Sequence, residues 1–290
     1  MRGPTASDPV YSTVDRPSLI EERCRIIRPA KRRIKVRDLP GTAPVVRVVV
    51  ARDFKVRYQQ SIVGPAWLIF QPLALLAAFL VAFKGVGDAS TAHVPYVVFA
   101  LCGLAAWSFF QAAMTIGTPS MISNLNLVKS TPCPRIALLA AGVISSLPSF
   151  AVTAGAAAVS AALTGQLSIR LLLLPAALIW LLLLTLGILG VLASIAVRYR
   201  DVVTALPFLL QVGAFVAPVG YGLNALSPGL RTVVELNPIT GVIETLRWMI
   251  LRSYPLDLTP IALSLGLTFL ISTLGWRTFA ARETTMADVI

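Results

Sequence analysis

Six stretches of this 290-residue chain are about long enough and apolar enough to cross a membrane, and nothing else in it constrains the fold as strongly. They lie near residues 66–86, 94–117, 136–163, 170–196, 202–221 and 258–280. A helix needs about 20 mostly apolar residues to cross a hydrocarbon core about 30 Å thick, and inside lipid every backbone polar group must find its partner within the protein. Composition agrees, since only 13% of residues are charged and 56% are hydrophobic, whereas a soluble domain carries roughly 25% charge. The expectation is an all-α polytopic membrane protein with six transmembrane helices.

The net charge of +12 does not point to nucleic acid, because 14 of the 25 Lys/Arg residues fall within residues 1–58, ahead of the first apolar run. A basic flank of this kind marks the cytoplasmic side of a membrane protein, with lipids as the partner. Six spans put both termini on one side. With that side inside, the inner face takes the tail plus Lys129, Arg135, Arg198, Arg200, Arg277 and Arg282, which is 20 of the 25 basic residues. Lys84, Arg170, Arg231, Arg247 and Arg252 stay outside. Residues 1–43 show no signal peptide and are polar and basic, with a cluster at Lys31, Arg32, Arg33, Lys35 and Arg37. They are expected to be a flexible cytosolic tail, its cluster either an anchor on anionic headgroups or a specific binding surface. Cys24, Cys102 and Cys133 suggest no disulfide framework, and with His93 as the single histidine no metal cage is expected.

Residues 44–64 precede the 65–290 span region and are too charged to cross. Val46, Val49, Val50 and Phe54 share one helical face, with Asp53 and Arg57 on it, four apart and able to pair. An interfacial helix lying along the inner surface is expected. Gly64 then permits a turn, Pro65 suits the start of a new helix, and Trp67 suits headgroup depth. Between spans five and six, residues 222–257 are too apolar for a solvated loop, and Pro228-Gly229 and Asn237-Pro238 divide them. Ile239, Val242, Ile243, Leu246, Met249 and Ile250 repeat at helical spacing, with Glu244 and Arg247 on the other side. Two short amphipathic helices dipping into the outer leaflet are expected; the charges disfavour a seventh span. In span three, Ala151 and Gly155, and Ala154, Ala158 and Ala162, form small-residue stripes, read either as a close-packing face or as an alanine-rich span. Prolines at 72, 148, 175, 207 and 218 predict kinks.

Several chemistries are missing. No phosphate-binding GxxxxGK[ST] loop occurs, so this chain is not expected to hydrolyse ATP. No Asp or Glu occurs between residues 89 and 200, which argues against an ion-coupled carrier and against acid/base chemistry within the membrane. If the chain moves a solute, the energy comes from a partner, and the chain itself binds no cofactor or metal. The loop 118–135, TPSMISNLNLVKSTPCPR, reads either as a solvated loop or as a short helix flat on the inner surface, facing a cytosolic partner.

The run RDFKVRYQQSIVGPAWLIFQPL, residues 52–73, resembles the entry segment of the membrane subunit of type-two ABC exporters, in particular those serving O-antigen, capsule and teichoic-acid export. The residues that carry the resemblance are Arg57-Tyr58, Ser61, Gly64-Pro65, Trp67 and Gln71-Pro72. SNLNLVKSTPCPR resembles the family's coupling helix and the Phe-Pro-Arg that follows it, with Cys133 in place of the aromatic. Arg198-Tyr199-Arg200-Asp201 with Leu206-Pro207-Phe208 resembles the loop before span five. Leu236-Asn237-Pro238 with Gly241, Glu244 and Arg247 resembles the outer re-entrant segment, and Met286 to Ile290 the C-terminus.

The resemblance implies a homodimer in a bacterial inner membrane, with two copies of a cytosolic ATPase beneath it that hold ATP and magnesium. The cargo would be a lipid-linked polysaccharide or glycolipid, or alternatively a drug or lipid; a channel or scaffold outside the ABC class would lack the ATPase. Ser123, Asn124, Asn126, Leu127 and Lys129 would form the coupling helix. Arg52, Arg57, Tyr58, Ser61, Gly64, Pro65 and Trp67 would form the gate helix and its turn. Phe70, Phe79, Trp107, Phe109, Phe110 and Phe215, with Gln71 and Gln111, would be candidates to line the channel, since sugar faces stack on rings. Asn237, Pro238, Glu244 and Arg247 would belong to the re-entrant segment.

Overall fold

The computed structural model describes residues 43–59, 62–83, 94–124 and 135–282, all within one unit spanning Ile34–Ile290. Helix α1 covers Ala43–Tyr58, and a 3-10 turn at Gly64–Ala66 leads into α2, Trp67–Ala82. Then follow α3, Tyr96–Gly117, and the single turn α4, Ser120–Ser123. Helices α5, Ile136–Ile144, and α6, Leu147–Leu163, are one apolar run interrupted just before Pro148, which starts the second piece. A 3-10 turn at Ile169–Leu173 opens α7, Leu174–Ala196, and α8 covers Asp201–Val216. Two shorter helices, α9, Pro228–Glu235, and α10, Pro238–Ile250, precede α11, Leu258–Arg282. Among the described residues the β content is one isolated bridge, Leu167 to Leu251.

Five runs are long and apolar enough to span: Gly64–Ala82, Tyr96–Gly117, Ile136–Leu163, Ile169–Ala196 and Leu258–Ala281. The stretch 202–221 differs from expectation, because its helix ends at Val216. Sixteen residues rise only about 24 Å. Pro218 is the cause: the residue before a proline is driven to extended backbone, and Ala217 lies at φ −72°, ψ 144°. The proline expected to kink a span therefore stops one.

Helix α3 is the axis of the bundle. Every residue from Val98 to Trp107 is buried, as an all-round apolar helix requires. Helix α6 packs on it through Phe150, Ala154, Ala157 and Ala161. That is not the stripe expected from sequence, since Ala151, Gly155 and Ala162 are exposed. The closest helix approach instead joins α7 to α11. A Cβ on Gly187 would lie 2.7 Å from the Ser272 Cα, one on Gly190 2.9 Å from the Gly275 oxygen, and one on Gly275 would strike the Gly187 oxygen. Buried Trp180 seals this seam by donating to Thr268 Oγ1 at 2.9 Å.

Helix α1 lies against α5. Val49 is buried, and Val45, Val46 and Val50 are half-buried beside Ile136. The expected pairing of Asp53 with Arg57 is not made: Asp53 is turned inward, Arg57 stays exposed, and Arg52 bonds Asp53 at 2.6 Å instead. The apolar runs alternate in direction, with α3 meeting α5 at Gly117 and Gly142 and α6 at Ser108 and Thr153, so the bundle has an upper end, with Pro95, Gln166 and Asp257, and a lower end, with Thr118, Arg135 and Arg198. At the upper end α6 stops at Gly165, whose φ of 69° suits a residue without a Cβ, while Gln166 N–H donates to Ala161 O at 2.8 Å. The loop after it is tied to the end of α10 by Ser168 N–H to Ile250 O, 3.0 Å, and Arg252 N–H to Gln166 O, 2.7 Å.

Candidate functional site

The entry segment turns as its sequence requires. Gly64 has φ 55°, a conformation that favours glycine, and Pro65 begins the turn into α2. Arg52 and Arg57 project from the exposed side of α1, and Tyr58 is its last residue. Ser61 lies outside the described residues. Trp67 and Phe70 meet edge to face at 6.3 Å and remain more than half exposed. With Val63, exposed Gln71 and Ala74 they line a groove of about 570 Å³. Two rings beside an amide can stack on an apolar face and hydrogen-bond at its edge.

The other expected channel residues separate into two groups. Trp107 and Phe110 stack at 5.6 Å and border a cavity of about 310 Å³ with Phe208 and Val212 of α8 and Asn237. Gln111, next along α3, is half-buried. Phe79 and Phe109 do not present a face to any opening in this protomer, because both are wholly buried. Phe109 sits edge-on to Phe150 at 6.1 Å, since α3 is enclosed on all sides there, and Phe79 packs on Phe215 at 5.2 Å, leaving Phe215 partly exposed. The sequence reading missed Phe83 and Tyr221, which extend this ladder with centroids 5.7 Å apart. Their aromatic character was the available signal, but they fall beyond the ends of the helices.

At the lower end Ser123 is exposed, while Asn124 is buried and donates through Nδ2 to Ser120 O at 2.8 Å. Asn126, Leu127 and Lys129 lie outside the described residues. Toward the upper end, Asn237 caps α10 by accepting from Ile239 N–H at 3.3 Å, with Pro238 following it and its carbonyl taken by Ser264. Sequence spacing puts Glu244 and Arg247 on the side of α10 opposite its apolar repeat. The helix buries both, because it is enclosed by α3, α7 and α11. Arg247 Nη1 donates to Glu244 at 2.7 Å, its guanidinium lies 3.6 Å from the centre of the Phe99 ring, and Tyr254 donates to the second Glu244 oxygen at 2.8 Å. Burial raises the Tyr254 pKa, against the pull of Arg247 and with help from Glu244, so the phenol stays a donor at physiological pH. Above this pair, Arg231 bonds Glu235 at 2.7 Å and Asp257 at 2.6 Å, fastening α9 to the turn before α11.

A surface helix at one end, a bundle of apolar helices and a short-helix hairpin closed by a buried ion pair define a multi-pass membrane protein. The chain belongs to the ABC-2 type transporter family, whose profile matches residues 44–251. It is similar to the "O-antigen export system permease protein RfbA" of Klebsiella pneumoniae, 23% identical over 203 residues, 69% of this chain and 77% of that protein. It is also similar to the protein of that name from Myxococcus xanthus, 24% identical over 213 residues, 72% of this chain and 81% of the relative.

Proposed function

We propose that this chain is the transmembrane subunit of an ATP-driven exporter that moves a lipid-linked polysaccharide or glycolipid across a bacterial inner membrane. The observation that carries this is the family match over residues 44–251 together with relatives named for O-antigen export. Two copies form the channel, and two copies of a cytosolic ATPase subunit supply the energy, because this chain has no phosphate-binding loop. The exposed groove at Trp67, Phe70 and Gln71 suits a sugar face and its hydroxyls. Arg52 and Arg57 are exposed on α1, ahead of this segment in the chain, and would meet a lipid-linked pyrophosphate.

In this reading α1 is the gate helix and the segment from Ser123 to Lys129 couples to the ATPase. Six crossings are retained: α8 starts just after the lower end of α7, and the non-helical turn that follows it reaches Tyr96 at the upper end of α3. The hairpin of α9 and α10 is re-entrant. The start of α10 borders the same cavity as Trp107, eleven residues into α3, or about 16 Å from that helix's upper end. The end of α10 is tied to the upper loop. Both termini are cytoplasmic. The test is mild-detergent purification of the tagged chain from its own membrane. A stoichiometric P-loop subunit and glycan-bearing lipid stranded inside on deletion are expected; a chain that purifies alone and whose loss leaves surface glycan intact overturns the proposal.

A further inference from the structure

Helix α8 stops at Val216, yet the chain continues through the bundle as a non-helical turn with Ala217, Pro218, Val219 and Gly220 all buried. Non-helical backbone at such depth must have its carbonyls bonded by something else. A full accounting is possible. Val216 O accepts from the Tyr221 hydroxyl at 2.8 Å, and Ala217 O from Val219 N–H at 2.7 Å. Pro218 O and Val219 O both accept from Arg247 Nη2, at 2.6 and 2.9 Å. Gly220 O accepts from the Tyr96 hydroxyl at 2.8 Å, and Tyr221 O from Arg247 Nη1 at 3.4 Å. A single guanidinium thus serves three of six consecutive carbonyls. Two glycines make the fit possible: a Cβ on Gly103 would lie 2.8 Å from Val219 O, and one on Gly220 would lie 2.8 Å from the Phe79 ring.

We propose that Arg247 is a positioning residue for transport: it takes the place of the missing helical donors and holds the Ala217–Tyr221 segment where Tyr221 meets Phe83, just past the end of α2, beside the contact of Phe215 with Phe79. Arginine is required because its planar fork reaches several acceptors at once, which a lysine ammonium does not. Glu244, fixed by Tyr254, balances the charge and aims the fork. The aromatic ladder between α2 and α8 therefore depends on a residue that touches neither helix through an aromatic contact. The inference rests on the exporter reading for its transport readout alone.

The experiment uses the full chain in its native membrane with its ATPase partner, with Cys24, Cys102 and Cys133 changed to alanine. One reporter cysteine is placed at Val219 or, as control, at Ala105, both wholly buried. Labelling by a permeant maleimide is timed. In an Arg247→Lys background, Val219→Cys is expected to react at least tenfold faster than in the parent. Ala105→Cys should be unchanged, and surface glycan should fall at least tenfold. Glu244→Gln, which preserves the shape of the acceptor, should raise the Val219→Cys rate less. Unchanged labelling at 219 overturns the proposal. So does equal acceleration at 105, which would make Arg247 a general fold residue, and so does full export with 219 open. If Arg247→Lys does not reach the membrane, Glu244→Gln decides, since it loosens the carboxylate that aims the fork and leaves Tyr96 on Gly220; unchanged labelling of 219 there overturns the idea. Local opening at 219 in a chain that exports no glycan even as parent would support the positioning role while sinking the cargo reading.

Discussion

Gly187 has no room for a side chain. Its missing Cβ would meet the backbone of Ser272, which cannot move aside without shifting α11. Gly187→Ala should therefore destabilise the detergent-solubilised protein by about 1–3 kcal/mol, seen as a lower midpoint in thermal denaturation. Gly155→Ala is the contrast: nothing lies within 4 Å of its Cβ site, and it should be neutral or gain up to about 1 kcal/mol of helix propensity. The sequence draws attention to Gly155 and not to Gly187. A four-residue small stripe is visible within one helix, whereas the Gly187, Gly190 and Gly275 contact exists only once α7 and α11 are side by side. The surroundings of Arg247 are hidden from the sequence for a related reason. A charge on one helical face reads as exposed unless the carbonyls that will surround it are known, and those belong to the break after α8. Glu244→Ala, which strips a buried arginine of its counter-ion, should cost about 3–5 kcal/mol in the same denaturation measurement, far more than Asp257→Ala in the exposed pair with Arg231.

Helix α1 shows how far periodicity carries an element. Val46, Val49 and Val50 were legible as one face and do face α5, while Phe54 on that face remains exposed. A face can be read from spacing, but not the point where the neighbouring helix ends. The α8 break was half legible in the same sense: Pro218 announced a disturbance, and whether it kinks or stops the helix depends on donors from Tyr96 and Arg247 far along the chain. For α1 the consequence is testable. Val49→Asp places an unpaired carboxylate in the α1–α5 contact. It should cost about 3–5 kcal/mol if the charge stays buried, more than a helix held mainly through four valines gains from docking. The expected outcome is release of α1, with faster cleavage by trypsin after Arg47 and Arg52, loss of export, and an unchanged thermal midpoint for the remaining bundle. A protected α1 with export intact would show that the α5 contact does not hold the helix.

For the whole molecule, the proposed orientation rests on where the basic residues gather. Among the described residues the lower end carries Arg47, Arg52, Lys55, Arg57, Arg135, Arg198, Arg200 and Arg277, and the upper end Arg170, Arg231 and Arg252. Two of the upper three are occupied: Arg231 holds two carboxylates and Arg170 lies over the Trp248 ring at 4.8 Å. The membrane rule counts basic residues near span ends and puts the richer face in the cytoplasm. Two exposed serines report the two ends, Ser123 below and Ser253 above. In intact cells Ser253→Cys should react with an impermeant maleimide, after passage through the outer membrane, and Ser123→Cys should react only once the inner membrane is opened. The reverse pattern would place α1 and the Ser123 segment outside, away from any cytosolic ATPase. A permease in that orientation would have no energy source within reach, so this one labelling comparison tests the topology and the transport reading together.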